Sequence, residues 1–352
     1  MVGLLALIPV IPISLLGGVY IDRLPRRKVI LATQVGLMLQ ATAFGLLALS
    51  GSLKIGHMVV LYFVFGALLA IDHPARRAYL VELVDRDALG NAVALNGAIF
   101  NFASLVGYAV SGILIASIGA GGTMLINAAS YLAPITALLM IRLPDVGHDK
   151  AAAPLRTAWL EGARTLLREP TMLAVIALMA AVGGLAWPVY GMMPAFAQEV
   201  LDTGAVGLGL LLAAAAFGAV IGTLLMARLR DRNRGKVLAV TSLVLPLLVI
   251  VFAHTTSIVP ACGLLIGVGL TLLLLQSLAI TLVQVLIPDR VRGRVMTIYS
   301  QVHAGSDTLS NAAVGALAAR TGLPAALTAS GVLSLVIAAG LLLRMPGLRR
   351  LE

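Results

Sequence analysis

The stretch GGVYIDRLPRRK, residues 17–28, lies between two long apolar runs and carries one aspartate and four basic residues. Residues 1–16 before it and 29–49 after it are almost entirely apolar. Runs of that length can cross a bilayer as helices, and charged residues collect in the loops that join such helices. The stretch is therefore predicted to be a tight, charged turn between two membrane-spanning helices.

The composition supports a membrane protein. Hydrophobic residues make up 60% of the 352 residues, charged residues only 11%, and the mean hydropathy is +1.03. A soluble globular domain usually has about 25% charged residues. Apolar runs recur along the whole chain, and each is long enough to span a hydrocarbon core of roughly 30 Å. An integral, all-α membrane protein is predicted.

Eleven spanning helices follow from these runs. The predicted spans are residues 1–20, 27–49, 56–75, 88–116, 121–141, 170–198, 204–229, 236–254, 257–286, 294–318 and 322–344. The first lacks the basic start and small-residue cleavage site of a signal peptide, so it is kept as a span.

The basic residues are segregated as the positive-inside rule requires. All Lys and Arg except Lys54 and Arg320 fall in alternate loops or in the C-terminal tail. The net charge of +10 thus indicates topology, and no nucleic-acid partner is expected. The C-terminus is predicted to be cytoplasmic. With eleven spans the N-terminus would be outside, so we expect the sequence to lack one helix at its start.

The charged turn resembles a known family signature. Gly18-x-x-x-Asp22-Arg23-x-x-Arg26-Arg27 is similar to the loop between the second and third helices of major facilitator superfamily transporters. Pro25 replaces the usual Gly of that signature. The resemblance implies a conformational latch formed by Gly18, Asp22, Arg23 and Arg27. The alternative is that these arginines only fix topology.

A second segment carries a more specific resemblance. The motifs Asp72-x-Pro74-Ala75-Arg76 and, further along, NAVALN at residues 91–96 resemble the superfamily's subgroup of the enterobactin exporter and macrolide efflux proteins. The resemblance implies a major facilitator fold with two pseudo-symmetric halves and twelve helices. It would place Asp72 and Arg76 within reach of Asp22, as part of a switch or as a purely structural ion pair.

An internal repeat gives the predicted domains. Residues 222–237 echo 18–29, and residues 287–300 echo 83–96, both at a spacing of 204 residues. The expected organisation is an N-terminal half at 1–141, a cytoplasmic linker at 142–169 and a six-helix C-terminal half at 170–352. Leu155, Trp159, Ala163 and Leu166 share one face of a linker helix that could lie on the inner leaflet. An ordinary solvated linker is the alternative.

Asp307 lies near the middle of the predicted span 294–318, with His303 one turn earlier on the same face. An ionisable residue at that depth is costly and points to function. Burial favours the uncharged form of a carboxyl group, so Asp307 and His303 are predicted to couple transport to protons. A cavity-facing aspartate without a specific task is the alternative.

Other polar and aromatic residues in spans are candidates for substrate contact, because such groups turn away from lipid. In the superfamily's architecture the central cavity would be lined by Asn96, Asn101, Trp187, Tyr190 and Gln276. Hydrogen bonds between helices are the competing interpretation. The series Gly97…Gly107-Tyr108-x-x-x-Gly112 is predicted to let helices approach closely.

No enzyme chemistry is recognisable: the sequence has no HExxH, no nucleotide-binding GxxxxGK[ST], no metal-ligand spacing, and Cys262 is its one cysteine. No cofactor or metal is expected. The resemblance implies a monomeric, proton-coupled, alternating-access exporter of a small amphipathic molecule, such as a drug or siderophore, in a bacterial cytoplasmic membrane. Alternatives are a truncated membrane protein that does not transport, a partner subunit, or a lipid translocator of the same fold.

Overall fold

The computed structural model describes residues 25–85, 88–141, 155–229, 234–287 and 291–345. All regular structure in these ranges is helical. Gly18, Asp22 and Arg23 of the charged turn, and the predicted span 1–20, lie outside the described residues. The chain forms two compact units, which are treated separately: described residues 25–99 with 113–141, and described residues 100–112 with 155–345.

Four helices build the first unit: α1 (Arg26–Leu49), α2 (Ile55–Leu83), α3 (Leu89–Ser130) and α4 (Leu132–Met140). Gly51, just after α1, has φ 68° and lets the chain turn back. Inside α3, Gly119 has φ 73° and ψ 174°, a backbone conformation that only glycine adopts easily. The long helix is therefore broken there, in agreement with the two spans predicted on either side.

The small apolar core of the first unit lies where α1, α2 and α4 meet. It consists of Val29, Ile30, Ala75, Tyr79 and Leu138, each less than 9% exposed. These residues come from three helices, of which α4 is far from α1 and α2 in sequence. Their burial brings the N-terminal end of α1 next to the C-terminal end of α4.

The second unit contains the remaining helices. They are α5 (Leu155–Arg168), α6 (Pro170–Leu178), α7 (Gly184–Ala186), α8 (Pro188–Ala195), α9 (Gly204–Arg228), α10 (Arg234–Ala253), α11 (Ile258–Leu286), α12 (Arg292–Thr321) and α13 (Leu323–Arg344). Two π-helical turns, Met179–Gly183 and Phe196–Val200, flank α7 and α8, so that residues 170–200 form one continuous span. Residues 100–112 of α3 pack with this unit.

Close helix packing in the second unit depends on glycine. A Cβ atom at Gly218 of α9 would overlap the carbonyl group of Ile266 on α11, and one at Gly269 of α11 would overlap that of Ala215. Gly112 and Gly209 make a similar approach, which confirms the prediction for the C-terminal end of the glycine series. Small residues stabilise helix pairs in lipid because they let backbones come into van der Waals contact.

Eight helical segments of the described chain are long and apolar enough to cross a membrane. They are Arg26–Leu49, Ile55–Arg76, Phe102–Met140, Pro170–Val200, Gly204–Arg228, Arg234–Ala253, Ile258–Leu286 and Leu323–Arg344. The expected number of eleven is thus not confirmed. Phe102–Met140 contains the break at Gly119, and α12 is absent from the set although it forms a 30-residue helix. Its arginines and its polar column, described below, make α12 less apolar.

The linker helix α5 packs against the second unit. A Cβ atom at Gly162 would lie 2.9 Å from Cδ1 of Ile298 and 3.2 Å from the main chain of Arg294, both on α12. Leu166 is buried, whereas Leu167 is 71% exposed. The side chains of Leu155 and Trp159, which the sequence places on the apolar face, lie outside the described residues. The half of α5 that is described therefore contacts α12.

Candidate functional site

A column of four polar side chains runs along one face of α12. It consists of Tyr299, His303, Asp307 and Asn311, and is called the polar column below. A spacing of four residues places side chains one above another on a helix. The structure brings together the two residues predicted to couple protons, and it adds one residue on each side of them.

The centre of the polar column is an ion pair. Nδ1 of His303 lies 3.1 Å from Oδ2 of Asp307, and the two side chains are only 26% and 15% exposed. The second carboxylate oxygen, Oδ1 of Asp307, is buried and accepts no hydrogen bond from any residue that the structure describes. A buried carboxylate oxygen without a donor is costly when the group is charged. His303 is therefore the side chain that compensates the carboxylate in the described part of the chain.

The first turn of the polar column connects α12 to α11. The ring of Tyr299 meets the ring of His303 edge-on, with centroids 6.4 Å apart and planes at 75°. Its hydroxyl group points at the main-chain oxygen of Gln276 at 3.5 Å, which is the outer limit of a hydrogen bond. Nε2 of Gln276 is buried without an acceptor among the described residues. Gln276, a predicted substrate contact, thus lies at one end of the column.

The segment of α7 and α8 runs beside α12 in the same direction. A Cβ atom at Gly184 would lie 2.9 Å from Oγ of Ser306, and one at Gly191 would overlap Oδ1 of Asn311. The earlier glycine thus contacts the earlier residue of α12 and the later glycine contacts the later one, as expected for two parallel helical segments. The two glycines therefore bring this segment against the part of α12 that contains Asp307.

Two of the predicted substrate contacts lie on that same segment. The rings of Trp187 and Tyr190 are 5.3 Å apart and tilted by 34°. Both side chains are partly buried. Trp187 falls between Gly184 and Gly191 in sequence, so the aromatic pair flanks the contact with α12.

The remaining two predicted cavity residues lie on α3. Asn96 belongs to the first unit and is exposed. The side chain of Asn101 lies outside the described residues.

In the first unit, Asp72 is the centre of a buried polar cluster. The carboxylate is 4% exposed; its Oδ1 accepts hydrogen bonds from Oγ1 of Thr33 at 2.6 Å and from Nε2 of Gln34 at 2.9 Å. Its Oδ2 pairs with Nε of Arg76 at 2.6 Å. The predicted partners Asp72 and Arg76 are in contact, and α1 supplies two further hydrogen-bond donors to the carboxylate, Thr33 and Gln34.

Two arginines of the charged turn are described. Arg27 donates from Nε to the main-chain oxygen of Leu138 at 2.7 Å and from Nη2 to that of Leu139 at 2.9 Å. These carbonyl groups belong to the last turn of α4, where a helix has no internal donors left. Arg26 pairs with Glu82 at 2.6 Å. Arg27 therefore caps a helix in this structure.

Sequence reasoning singled out neither Tyr299 nor Thr33 and Gln34. Tyr299 carried a usable signal, because it precedes His303 by four residues on the same helix. Thr33 and Gln34 are polar residues inside an apolar span, which is also informative. The roles of Gly184 and Gly191 carried no such signal, since they depend on which helix lies opposite. The described residues contain no group of three or more His, Cys, Asp or Glu that could hold a metal ion.

A bundle of membrane-length helices, one of which carries a largely buried ion pair, is the architecture of a multi-pass membrane protein. The chain belongs to the transmembrane secretion effector family, whose model matches residues 1–352, and so to the major facilitator superfamily. Membership confirms the superfamily suggested by the motifs. It also confirms that the protein is a transporter, not an enzyme.

Characterised relatives cover almost the whole chain. It is 26% identical over 367 residues to the multidrug efflux pump Tap of Mycolicibacterium fortuitum, covering 100% of this chain and 88% of the relative. It is 28% identical over 344 residues to the enterobactin exporter EntS of Escherichia coli O1:K1, covering 96% of this chain and 80% of the relative.

Solved structures confirm the transporter fold. A bacterial homolog of the human lysosomal transporter Spinster, in an inward-facing and unoccupied conformation, superimposes with a TM-score of 0.70 at 17% identity, covering 99% of this chain and 89% of that one. The E. coli fucose:proton symporter superimposes with a TM-score of 0.62 at 15% identity, covering 94% and 87%.

Proposed function

We propose that this protein is a proton-coupled exporter of a small amphipathic molecule, working by alternating access as a monomer in a bacterial cytoplasmic membrane. The observation that supports this proposal most directly is the ion pair of His303 and Asp307. Relatives named as a multidrug efflux pump and an enterobactin exporter support the direction of transport and the substrate class.

The His303–Asp307 pair has the properties that proton coupling needs. Two titratable groups 3.1 Å apart in a poorly solvated site cannot gain or lose protons independently. With one proton bound, the pair is an imidazolium beside a carboxylate and has no net charge; when that proton is released to the aqueous phase, a neutral imidazole remains beside a negative carboxylate. Exchange between them changes the cost of burying α12, because charged side chains are much more expensive to keep at membrane depth. A proton gradient can thereby drive a change in helix position.

The proposed substrate contact is the aromatic pair of Trp187 and Tyr190, with Gln276, Asn96 and Asn101 as further lining residues. Indole and phenol rings offer flat apolar surfaces together with an N–H and an O–H group. Such a surface suits a molecule that is largely apolar but carries hydrogen-bonding groups.

We further propose that the charged turn and the Asp72 cluster act as a conformational switch at the cytoplasmic face. The switch residues are Gly18, Asp22, Arg23, Arg27, Asp72 and Arg76. Arg76 is half exposed although Asp72 is buried. Its side chain can therefore exchange partners while Thr33 and Gln34 retain the carboxylate.

The test is substrate-dependent proton movement in inverted membrane vesicles, followed with a pH-sensitive dye against a panel of siderophores and macrolides. We expect a signal with the wild-type chain and none with Asp307→Asn. The matched control is Asp202→Asn, because Asp202 is an exposed aspartate of the same unit with φ 50°, a conformation that Asn tolerates. Full proton movement in Asp307→Asn would overturn the proposal.

A further inference from the structure

Beside the proton site, Asn311 makes a contact on each side of its amide group. Nδ2 donates to the main-chain oxygen of Asp307 at 2.9 Å, which fixes the amide against its own helix. Oδ1 occupies the space that a Cβ atom of Gly191 would take. The side chain therefore connects the turn that carries Asp307 to α8.

A second contact of the same kind lies two turns earlier on the neighbouring segment. Ser306, the residue before Asp307, fills the space beside Gly184. Contacts at both Gly184 and Gly191 leave little room for α12 to slide past α7 and α8, because packed backbones move only in discrete steps. When the turn around Asp307 shifts, residues 184–195 must shift with it.

The ends of this segment are suited to such a movement. A π-helical turn lies immediately before it, at Met179–Gly183, and another immediately after it, at Phe196–Val200. π-helical turns contain one residue more than an α-helical turn and are frequent at functional sites. They can take up a displacement of the segment between them while the rest of the span stays packed.

We propose that Asn311 and Gly191 are positioning residues that transmit the protonation of Asp307 to the aromatic pair of Trp187 and Tyr190. This inference rests on the proposed proton-coupled function and deepens it, because it assigns the connection between the proton site and the substrate site. Trp187 is three residues after Gly184 and four before Gly191. It therefore lies on the same face of the segment as these two glycines, the face that contacts α12.

Other charged and titratable groups on the elements packed against α12 are few in the described part of the chain. Tyr190 lies on α8, Cys262 on α11, Arg344 on α13, and the exposed Arg164 and Arg168 on α5. Helix α5 also carries Arg156 and Glu161, whose side chains are outside the described residues. Of these groups, Tyr190 is the one that belongs to the aromatic pair. The experiment must therefore distinguish ionisation of Tyr190 from protonation of Asp307.

The test uses the fluorescence of Trp187 in the full chain and needs no substrate. Trp159→Phe leaves Trp187 as the single tryptophan, since the sequence contains two. Emission is recorded from acidic to alkaline pH in proteoliposomes, with Tyr190→Phe as a second background that removes the phenol. We expect a pH-dependent change in emission that is lost in Asp307→Asn.

The decisive variant is Gly191→Ala, which displaces the amide of Asn311 while leaving Asp307 and His303 in place. We expect the pH-dependent change to be lost in this variant and retained in Gly305→Ala. Gly305 lies two residues from Asp307 on α12, and no described atom lies within 4 Å of a Cβ built there. Asn311→Ala, which removes the amide without adding volume, should lose the change as well.

The outcomes separate the two proposals. An unchanged response in both Gly191→Ala and Asn311→Ala, with its loss in Asp307→Asn, overturns the positioning role and leaves proton coupling intact. A response that persists in Asp307→Asn shows that Asp307 is not the titrating group, which counts against both. Absence of any response in the wild-type background overturns the positioning role alone, because transport assays then still test the coupling.

Discussion

Nδ1 of His303 lies 3.1 Å from Oδ2 of Asp307, one helical turn further along α12. The pair is intrahelical, so it does not need a second helix to form. What the neighbouring helices contribute is exclusion of water, since only 26% of the His303 side chain and 15% of the Asp307 side chain are exposed. In that setting each member is stable mainly because the other is present.

This reciprocity predicts the effect of exchanging the two residues. Asp307→Asn should abolish proton-linked transport, and His303→Ala should reduce its initial rate by about tenfold or more, which corresponds to about 1.4 kcal/mol. The double exchange, His303→Asp with Asp307→His, restores an opposite pair at the same spacing. Its rate in proteoliposomes should exceed that of either single variant. A rate no higher than the singles would mean that each position has its own separate role.

Tyr299 allows its ring and its hydroxyl group to be distinguished. The hydroxyl group is 3.5 Å from its acceptor, so Tyr299→Phe should change stability very little. Tyr299→Ala removes a 4%-exposed ring that packs on His303 and should cost about 3–5 kcal/mol. Thermal unfolding of the purified protein in detergent measures both. A large loss in the Phe variant would show that the hydroxyl group has a stronger partner.

The close approach of α9 and α11 predicts a sharp difference between two glycines. Gly218→Ala should lower stability by about 1–3 kcal/mol, because the new methyl group overlaps the carbonyl of Ile266 and the backbones must separate. Gly263→Ala, on α11, meets no described atom within 4 Å and should be close to neutral. Size-exclusion chromatography after heating compares them directly. Equal melting temperatures would contradict the packing described here.

Removing the carboxylate of Asp72 should destabilise the first unit. Asp72→Ala leaves the amide of Gln34 buried without its acceptor, at a cost of about 1–3 kcal/mol. Thr33 loses less, because its hydroxyl group also reaches the main-chain oxygen of Ile30 at 2.9 Å. Asp85→Ala, at an exposed position after α2, is the control. The readout is the apparent melting temperature, which should fall for Asp72→Ala only.

Arg27 should matter more for stability than its neighbour Lys28. Arg27→Ala removes two charge-assisted hydrogen bonds to the last turn of α4 and should cost about 1 kcal/mol, since the site is only partly buried. Lys28→Ala changes an exposed residue with the same formal charge and should have little effect. The comparison is made by thermal unfolding at low and high salt. A loss that is equal for both would point to general surface charge.

The fold was largely predictable because hydrophobic length and charge segregation are local in sequence. The break at Gly119, both ends of α1 and α13 and the start of α2 agree closely with the predicted spans, whereas α2 continues to Leu83, beyond the predicted end at residue 75. The number of membrane spans was harder to predict from the sequence. Helix α12 carries both a polar column and basic residues. Its composition therefore does not distinguish a membrane helix that lines a cavity from a helix on the protein surface.

The candidate site divides in the same way. His303 and Asp307 could be paired from spacing alone, because both lie on one helix. The contacts of Asn311 with Gly191, of Asp72 with Thr33 and of Arg27 with Leu138 join residues of different helices. Periodicity shows which face of a helix is polar, but not which helix lies opposite. Arg27 was predicted to belong to a latch, and its contacts with the main-chain oxygens of Leu138 and Leu139 could not be foreseen from the charge pattern.

The cap that Arg27 forms on α4 also constrains how the chain is made. Its acceptors lie 111 and 112 residues further along. At a synthesis rate of about 5–20 residues per second, the guanidinium group waits roughly 6–22 s for them to leave the ribosome. During that interval α1 can already occupy the bilayer, but Arg27 stays hydrated at its edge. The contact between α1 and α4 in the first unit can thus form only after the described helices between them have been synthesised.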